Sequence, residues 1–376
     1  MIVERLELSG FRNIESAHLS FSGTFNYITG RNAQGKTNLL EAIHLFSLGR
    51  SFRTRRASEM VGFGSGRFFL RLSGRSDSGV GFRIEAGLER GGRVRAAVNG
   101  TALGGMGELV GLLPSVLFTP ADSELAAGPP AARRLYLDYT AALISPEFLD
   151  RYRQYRSALR QRNALLREAA AGGRLDERQL DAWDLVMAQS GAAVIRGRIE
   201  TLGILEARAR DICSTVIGGD GLELVYTPSF GPRPEEAETT ILETLASTRE
   251  TEARRGYTLS GPHCDDMAIR AGGVDLRRYG SQGRLRLTAI ALRLAQAAVI
   301  LERRGERPIV LLDDLFSELD AQVADGVRAV LSDRYQSFIT SPRPEDVPAG
   351  RGGGSWLTVK AGVFSGTAGE PGCAGG

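Results

Sequence analysis

The stretch Gly30-Arg31-Asn32-Ala33-Gln34-Gly35-Lys36-Thr37 constrains this chain more than any other. Two glycines separated by four residues and followed by Lys-Thr make the phosphate-loop pattern. Phe25-Asn26-Tyr27-Ile28-Thr29, just before, reads as a short buried strand. Asn38 to Phe46, just after, repeats apolar residues at helical spacing. Strand, glycine loop and helix together turn successive backbone N–H groups and a helix N-terminus toward an anion. Glycine serves because the loop needs unusual dihedrals and close approach of the ligand. By itself the loop implies that a nucleoside triphosphate binds.

Composition adds an internal argument about Lys36. Of 47 lysines and arginines only Lys36 and Lys360 are lysine. A chain that writes nearly all its positive charge as arginine keeps lysine in the loop, where a compact ammonium on a thin stem fits between phosphates and a planar guanidinium does not. The net charge of +3 says little about partners, but its distribution says more. Residues 1–174 hold 24 basic and 15 acidic side chains, whereas residues 175–376 hold 23 and 29. A basic half beside an acidic half suggests a surface that faces a polyanion. Cys213, Cys264 and Cys373 lie far apart and His18, His44 and His263 have no metal-ligand spacing. No apolar run is long enough to span a bilayer, and no signal peptide opens the chain. These features predict a soluble, cytoplasmic protein with no membrane partner.

Along the chain, Met1 to Phe21 reads as two strands joined at Gly10-Phe11-Arg12-Asn13, and residues 67–100 as an antiparallel meander. Between them Gly49-Arg50-Ser51-Phe52-Arg53-Thr54-Arg55-Arg56 offers four arginines for phosphate contact. Ser145-Pro146-Glu147 starts a helix that Gly172-Gly173 stops, with Arg151, Arg153, Arg156, Arg160, Arg162 and Arg167 along it. A second helical stretch runs from Asp176 to Ile217, its Ile195, Ile199, Leu202, Leu205, Ala209, Ile212 and Val216 forming a packing seam. Two antiparallel helices make an arm. An acidic segment, Glu235-Glu236-Ala237-Glu238, follows before strand-and-loop character returns at Gly256.

A second constellation completes the loop. Pro308 to Leu312 is an apolar run that ends in Asp313 and Asp314, as a buried parallel strand delivering a Mg²⁺-binding carboxylate would. Asp313 would hold Mg²⁺ through water and Thr37 would bind it directly, while Asp314 is placed to orient or deprotonate the attacking water. Tyr279-Gly280-Ser281-Gln282-Gly283 opens a helix and is a second anion site. In ATPases that sandwich ATP, such a loop, here Ser281 and Gly283, caps the γ-phosphate bound by a partner subunit. Ser317-Glu318-Leu319-Asp320 would lie along that interface, and Thr340 sits where a γ-phosphate sensor would be.

With these residues the chain resembles the RecF family of recombination and repair ATPases, compact relatives of the ABC-type and SMC-type ATPases. The resemblance runs to about residue 365 and is carried by Phe11-Arg12-Asn13, the loop and Asn38-Leu39-Leu40-Glu41-Ala42, and Gly49 to Thr54. Pro129 or Pro130 with Arg133-Arg134 and Leu137-Asp138, Ser260-Gly261-Pro262-His263, Asp265-Asp266, and the Tyr279 and Asp313 segments extend it. Cys264, Arg284, Ala121 and Val323 depart from the family pattern, and none of them is a phosphate or Mg²⁺ ligand. The resemblance implies an α/β phosphate-loop ABC/SMC-type ATPase head with a mixed sheet, made of residues 1–125 and 255–376, with an inserted helical arm at 126–254. It implies ATP and Mg²⁺ as cofactors, Arg12 and Asn13 near the nucleotide, and an ATP-dependent homodimer on duplex DNA at single-strand/double-strand junctions. It further implies a RecR-type mediator as partner, loading of RecA, and slow hydrolysis that releases the clamp. A metabolic kinase or GTPase would use the same loop but has no use for Ser281 or the arginine-rich segments. A transporter ATPase would need a membrane partner, and a nuclease fusion would need another carboxylate-rich domain.

Overall fold

Alternation of apolar side chains in the first twenty residues sets the first sheet. In the computed structural model, which describes residues 1–54, 56–89, 92–217, 221–230, 236–332, 334–347 and 354–366, β1 (Ile2–Phe11) and β2 (Ile14–Ser20) pair antiparallel with Leu6 opposite Leu19. Arg55, Glu235 and Cys373 lie outside the described residues. β3 (Phe25–Thr29), buried at every position, leads into the glycine loop and α1 (Lys36–Leu48). β4 (Arg67–Arg75), β5 (Gly81–Glu89), β6 (Arg95–Val98) and β7 (Thr101–Ala102) extend the first sheet in the order β2-β1-β4-β5-β6-β7, the expected meander. β8 (Ser115–Phe118) then enters a second sheet.

The helices follow: α2 (Ser123–Ala127), α3 (Pro130–Ile144), α4 (Pro146–Ala170) and α5 (Glu177–Ile212). A small sheet of β9 (Leu222–Thr227), β10 (Asp266–Ala271) and β11 (Val274–Asp275) is interleaved with α6 (Ala237–Arg255) and followed by α7 (Leu276–Tyr279) and α8 (Gln282–Arg304). The chain ends with β12 (Ile309–Leu312), α9 (Ala321–Leu331), β13 (Ser337–Ser341), β14 (Gly354–Lys360) and β15 (Val363–Ser365). These strands complete the second sheet in the order β15-β14-β3-β13-β12-β8, parallel except for β15. The mixed sheet is therefore as expected.

Two compact units result. One comprises Met1–Asp122, Thr215–Gly218 and Leu292–Gly376, the other Ser123–Ser214 and Gly219–Ala291. In the first, α1 lies between the two sheets, and Leu39, Leu40, Ile43 and Phe46 share one core with Leu6, Phe68 and Leu70 of one sheet and Ile28, Leu311 and Phe338 of the other. Burial on both flanks explains why nearly every residue of α1 is buried rather than one stripe. The return expected near residue 255 comes instead at Leu292. β10 pairs with β9 along its length, and the Arg133 guanidinium binds both carboxylate oxygens of Asp266 at 2.8 and 2.9 Å, which ties this stretch to the helical unit.

In that second unit Ser145 caps α4, its hydroxyl accepting from Phe148 N at 3.1 Å. Ile195, Leu202, Leu205 and Ala209 form the buried seam of α5, and Tyr155, Ala158 and Leu166 are buried on α4. The residues around the acidic segment form a helix that sequence reading passes over. α6 carries Thr240, Thr244 and Thr248, whose hydroxyls donate back to carbonyls four residues earlier, and packing of Ile241 and Leu245 overrides their low propensity. The arginine row on α4 also divides: Arg162 is fully buried, donating to Asp184 Oδ1 and to Thr258 Oγ1 at 2.8 Å and pairing with Glu252 at 2.7 Å.

Arg198 on α5 is buried likewise. It meets Asp138 Oδ1 and Oδ2 at 2.7 and 3.0 Å, donates to the Pro262 carbonyl at 2.6 Å, and has Asp265 at 3.8 Å. Removing one partner of such a pair strands the others without water. Arg198→Ala should therefore destabilise this unit by about 3–5 kcal/mol, read as a lowered midpoint in chemical denaturation.

Candidate functional site

The glycine loop is shaped by its neighbours as much as by its own sequence. Gly30 has φ 155°, and a β-carbon there would meet the Val359 carbonyl at 2.4 Å; Gly35 has φ 121°, and one there would meet Asn13 Oδ1 at 2.9 Å. Ala33 takes a left-handed φ of 64° without being glycine. No side chain caps α1, so its first-turn N–H groups are left for an anion. Lys36 is 4% exposed, and its ammonium donates to Gly30 O at 2.7 Å and lies 3.5 Å from Asn32 Oδ1. Arg31, Asn32 and Ala33 are exposed around it.

Gln34 is the loop's anchor. Its backbone carbonyl accepts from Asn13 Nδ2 at 3.0 Å and from Gly362 N at 2.8 Å, and its side-chain Oε1 accepts from Ala361 N at 2.7 Å. In a planar trans peptide the carbonyl and the next N–H point in opposite directions. Holding Gln34 O from outside therefore turns the Gly35 N–H toward the inside of the loop. Asn13 is held in turn, its Oδ1 accepting from Asn38 Nδ2 at 2.7 Å. The turn between β14 and β15 was not legible as part of the site. Its signal is a two-residue Ala361-Gly362 link with both φ values positive, 50° and 81°.

Arg12 lies near the loop but its guanidinium is engaged elsewhere. Nε and Nη2 bind the two oxygens of Glu41, a fully buried carboxylate on α1, and Nη1 donates to Glu59 O at 2.6 Å. Glu41 also accepts from the Ser51 hydroxyl, and Arg53 Nη1 reaches Asn38 Oδ1 at 2.6 Å. The Gly49–Thr54 segment is thus fastened to α1, with Arg50 and Arg53 exposed.

The carboxylates stand at the end of β12. The Thr37 hydroxyl lies 3.0 and 2.9 Å from Asp313 Oδ1 and Oδ2. Burial pushes the Asp313 carboxyl above the ordinary carboxylate range, against the pull of the Thr340 and Thr37 hydroxyls and of Lys36; Asp314 adds to the push. Asp314 takes a left-handed φ of 49° and lies 3.7 Å from the Lys36 ammonium. Thr340 is not at the surface of this group: it is 0% exposed. Its hydroxyl lies 2.8 Å from Asp313 Oδ1 and 3.1 Å from Asp314 Oδ1, and accepts from Asp314 N at 2.8 Å. Thr340 is thus the post against which both carboxylates are held. Among the described residues no group of three or more His, Cys, Asp or Glu could hold a metal by itself. A hydroxyl with one buried carboxylate suits a hard cation that takes its remaining oxygens from phosphate and water.

Ser281 and Gly283 belong to the other unit, at the exposed start of α8. The Ser281 hydroxyl accepts from Arg284 N at 3.4 Å, and a β-carbon at Gly283 would meet nothing within 4 Å. Tyr279 just before them is 73% exposed.

A family model described as RecF/RecN/SMC N terminal domain matches residues 2–351. A DNA replication and repair protein RecF of Shouchella clausii (strain KSM-K16) is 35% identical over 347 residues, 91% of this chain and 92% of that one. The chain belongs to the RecF family. A second RecF, of Halothermothrix orenii, is 34% identical over 349 residues with the same shares. A structure of the recombination mediator protein RecF with ATP, in the RecFOR pathway, superposes with TM-score 0.88 at 32% identity, over 98% of each chain. An Smc head bound to the C-terminal winged-helix domain of ScpA reaches TM-score 0.57 at 17% identity, which shows a shared head fold. This is the RecF/SMC ABC-type ATPase fold.

Two outcomes test the geometry of this RecF-type site. Gly362→Ala would place a β-carbon 2.1 Å from Asn13 O, and should weaken binding of a fluorescent ATP analogue roughly tenfold while the circular dichroism stays that of the parent. Thr340→Val keeps the shape and removes the post, so the ATPase rate should fall by about tenfold or more with nucleotide affinity little changed, and Thr340→Ser should restore it.

Proposed function

We propose that this chain is an ATP-dependent, dimerising DNA-binding protein of recombinational repair and replication restart. In this reading it binds duplex DNA at gap junctions, works with a RecR-type mediator, and helps load the RecA recombinase. The observation that carries the ATPase part is the contact of Thr37 with Asp313, which joins the phosphate loop to the carboxylate strand within one unit. The repair part is supported by the RecF relatives, which are named for DNA replication and repair.

The loop N–H groups and Lys36 would bind the phosphates, and Thr37 and Asp313 would hold Mg²⁺. Bound Mg²⁺ would offset phosphate charge and polarise the reacting phosphoryl group. Lys36 would exchange the Gly30 carbonyl for phosphate oxygens, a small movement for a flexible stem. Asp314, 28% exposed and fixed through its backbone to Thr340, has the solvent access that a base needs and would take the proton of a water at its carboxylate. Thr340 orients both carboxylates from behind. Ser281 and Gly283 would meet the nucleotide of a second copy, so that ATP acts as a clasp between subunits.

Sedimentation of the purified protein with and without ATP and a gapped duplex tests this reading. Dimers and DNA complexes should form with ATP, and Ser281→Arg should keep nucleotide binding while remaining monomeric. A monomer that ignores both ATP and DNA would sink the proposal.

A further inference from the structure

The arginines of α4 fall on one side of the helix. Arg153, Arg156, Arg160 and Arg167 are all exposed. At about 100° per residue they lie within about 60° of arc, and at 1.5 Å per residue they span about 21 Å. Arg162 points to the opposite side, into its buried pairs with Asp184 and Glu252, and Arg151 lies away from the arc as well. Between Arg153 and Arg167 no other side chain falls within this arc, and those that flank it, Ser157, Asn163 and Ala164, include no large apolar residue. Arg153 shares the exposed Asp150 at 3.4 Å. Arg156, Arg160 and Arg167 have no carboxylate partner among the described residues.

This row continues onto a neighbouring turn. Asn163 Oδ1 accepts from Thr258 N at 2.8 Å and from the Thr258 hydroxyl at 2.7 Å, and Arg162 donates to the same hydroxyl. The end of α6 is thereby locked beside the far end of α4. It presents exposed Arg254 and Arg255, then Tyr257 with 49% of its surface exposed.

We infer that this face is a docking track for the sugar-phosphate backbone of duplex DNA. The inference rests on the DNA-binding reading above and names the surface that serves it. Like charges three and four residues apart repel along a helix unless something outside offsets them. Protein partners are held mainly by a few anchors packed into fully desolvated pockets, whereas these arginines stand exposed in a row with no large apolar residue among them. A phosphate strand needs only a line of cations, and about 21 Å laid along a duplex passes about six phosphates of one strand. Guanidinium forks suit phosphate oxygens, and the Tyr257 phenol beside them can lie against a sugar or donate to a phosphate.

The test is duplex binding by the full chain with ATP across a range of salt. The triple variant R156Q/R160Q/R167Q should bind roughly tenfold more weakly and flatten the slope of log K against log salt by about 2–3, one unit for each lost contact. ATP affinity and thermal unfolding should match the parent, and Arg151→Gln, off the arc, should leave both affinity and slope unchanged. If the parent binds duplex and the triple variant binds with the same affinity and slope, the track is wrong and the face belongs to an acidic protein. If the parent binds no duplex with ATP, the DNA reading falls and the track with it.

Discussion

A hydroxyl at the first turn of α1 meets a carboxylate at the end of β12, 276 residues away in sequence, and the site depends on that meeting. It is possible because β3, β13 and β12 are adjacent and parallel, with Tyr27 level with Ile339 and Ile339 level with Leu312. All three strands therefore end at one edge, where each contributes a polar residue: the loop from β3, Thr340 from β13, Asp313 and Asp314 after β12. This is the edge at which parallel sheets bind ligands, outside the carboxyl ends of their strands. The arrangement costs stability. With its folded pKa raised, ionised Asp313 opposes folding, so its contribution is favourable below the ordinary carboxylate range and is lost as pH rises through its folded titration. A cation beside the carboxylate would offset that penalty.

The rest of the first unit is arranged to hold this edge still. Arg12, Ala33, Asp314 and Ala361 all adopt positive φ without being glycine. Each is unfavourable by roughly 1–2 kcal/mol, and residues so strained persist only where their surroundings over-determine them. Here the surroundings are explicit. Arg12 is fixed by Glu41, Asp314 by Thr340, and Ala361 by Gln34, while Ala33 adjoins Gln34 in the loop. The C-terminal hairpin and the β1–β2 turn thus grip one peptide plane from two sides. Loop shape comes from these outer contacts as much as from glycine.

Local signals account for what the sequence disclosed. The loop, its flanking strand and helix, the Ser145 cap and the α5 seam rest on interactions within a few residues or on a regular period, and all are present. What was hidden is what depends on distant partners. Thr340 ends a strand at the right edge, but nothing near it in sequence shows that its hydroxyl faces two carboxylates that follow another strand. The engagement of Arg12 was equally hidden, because its partner, Glu41, is 29 residues on. The boundary at Leu292 rather than near residue 255 follows from pairing of β10 with β9, whose partners are separated by the whole of α6. The α6 helix was masked by threonines whose low helix propensity is overcome by burial of Ile241 and Leu245.

The same residue type does opposite work two positions apart on α4. Arg162 is desolvated and paired with two carboxylates, Asp184 and Glu252, whereas Arg160 is exposed and unpaired among the described residues. Arginine tolerates both situations because its delocalised charge is weakly hydrated, cannot be titrated away, and offers a fork that binds two oxygens at once. A lysine in the Arg162 or Arg198 position would lose its proton readily when buried and could not span two acceptors in one plane. The second unit can therefore keep three fully buried cations, Arg133, Arg162 and Arg198, in a chain with two lysines. The loop sets the reverse requirement. With Gly30 pressed on Val359 and Gly35 on Asn13, the space inside admits a thin stem and a compact charge that can leave one carbonyl for another oxygen. Lysine survives at position 36 because no guanidinium can make that exchange in so narrow a turn.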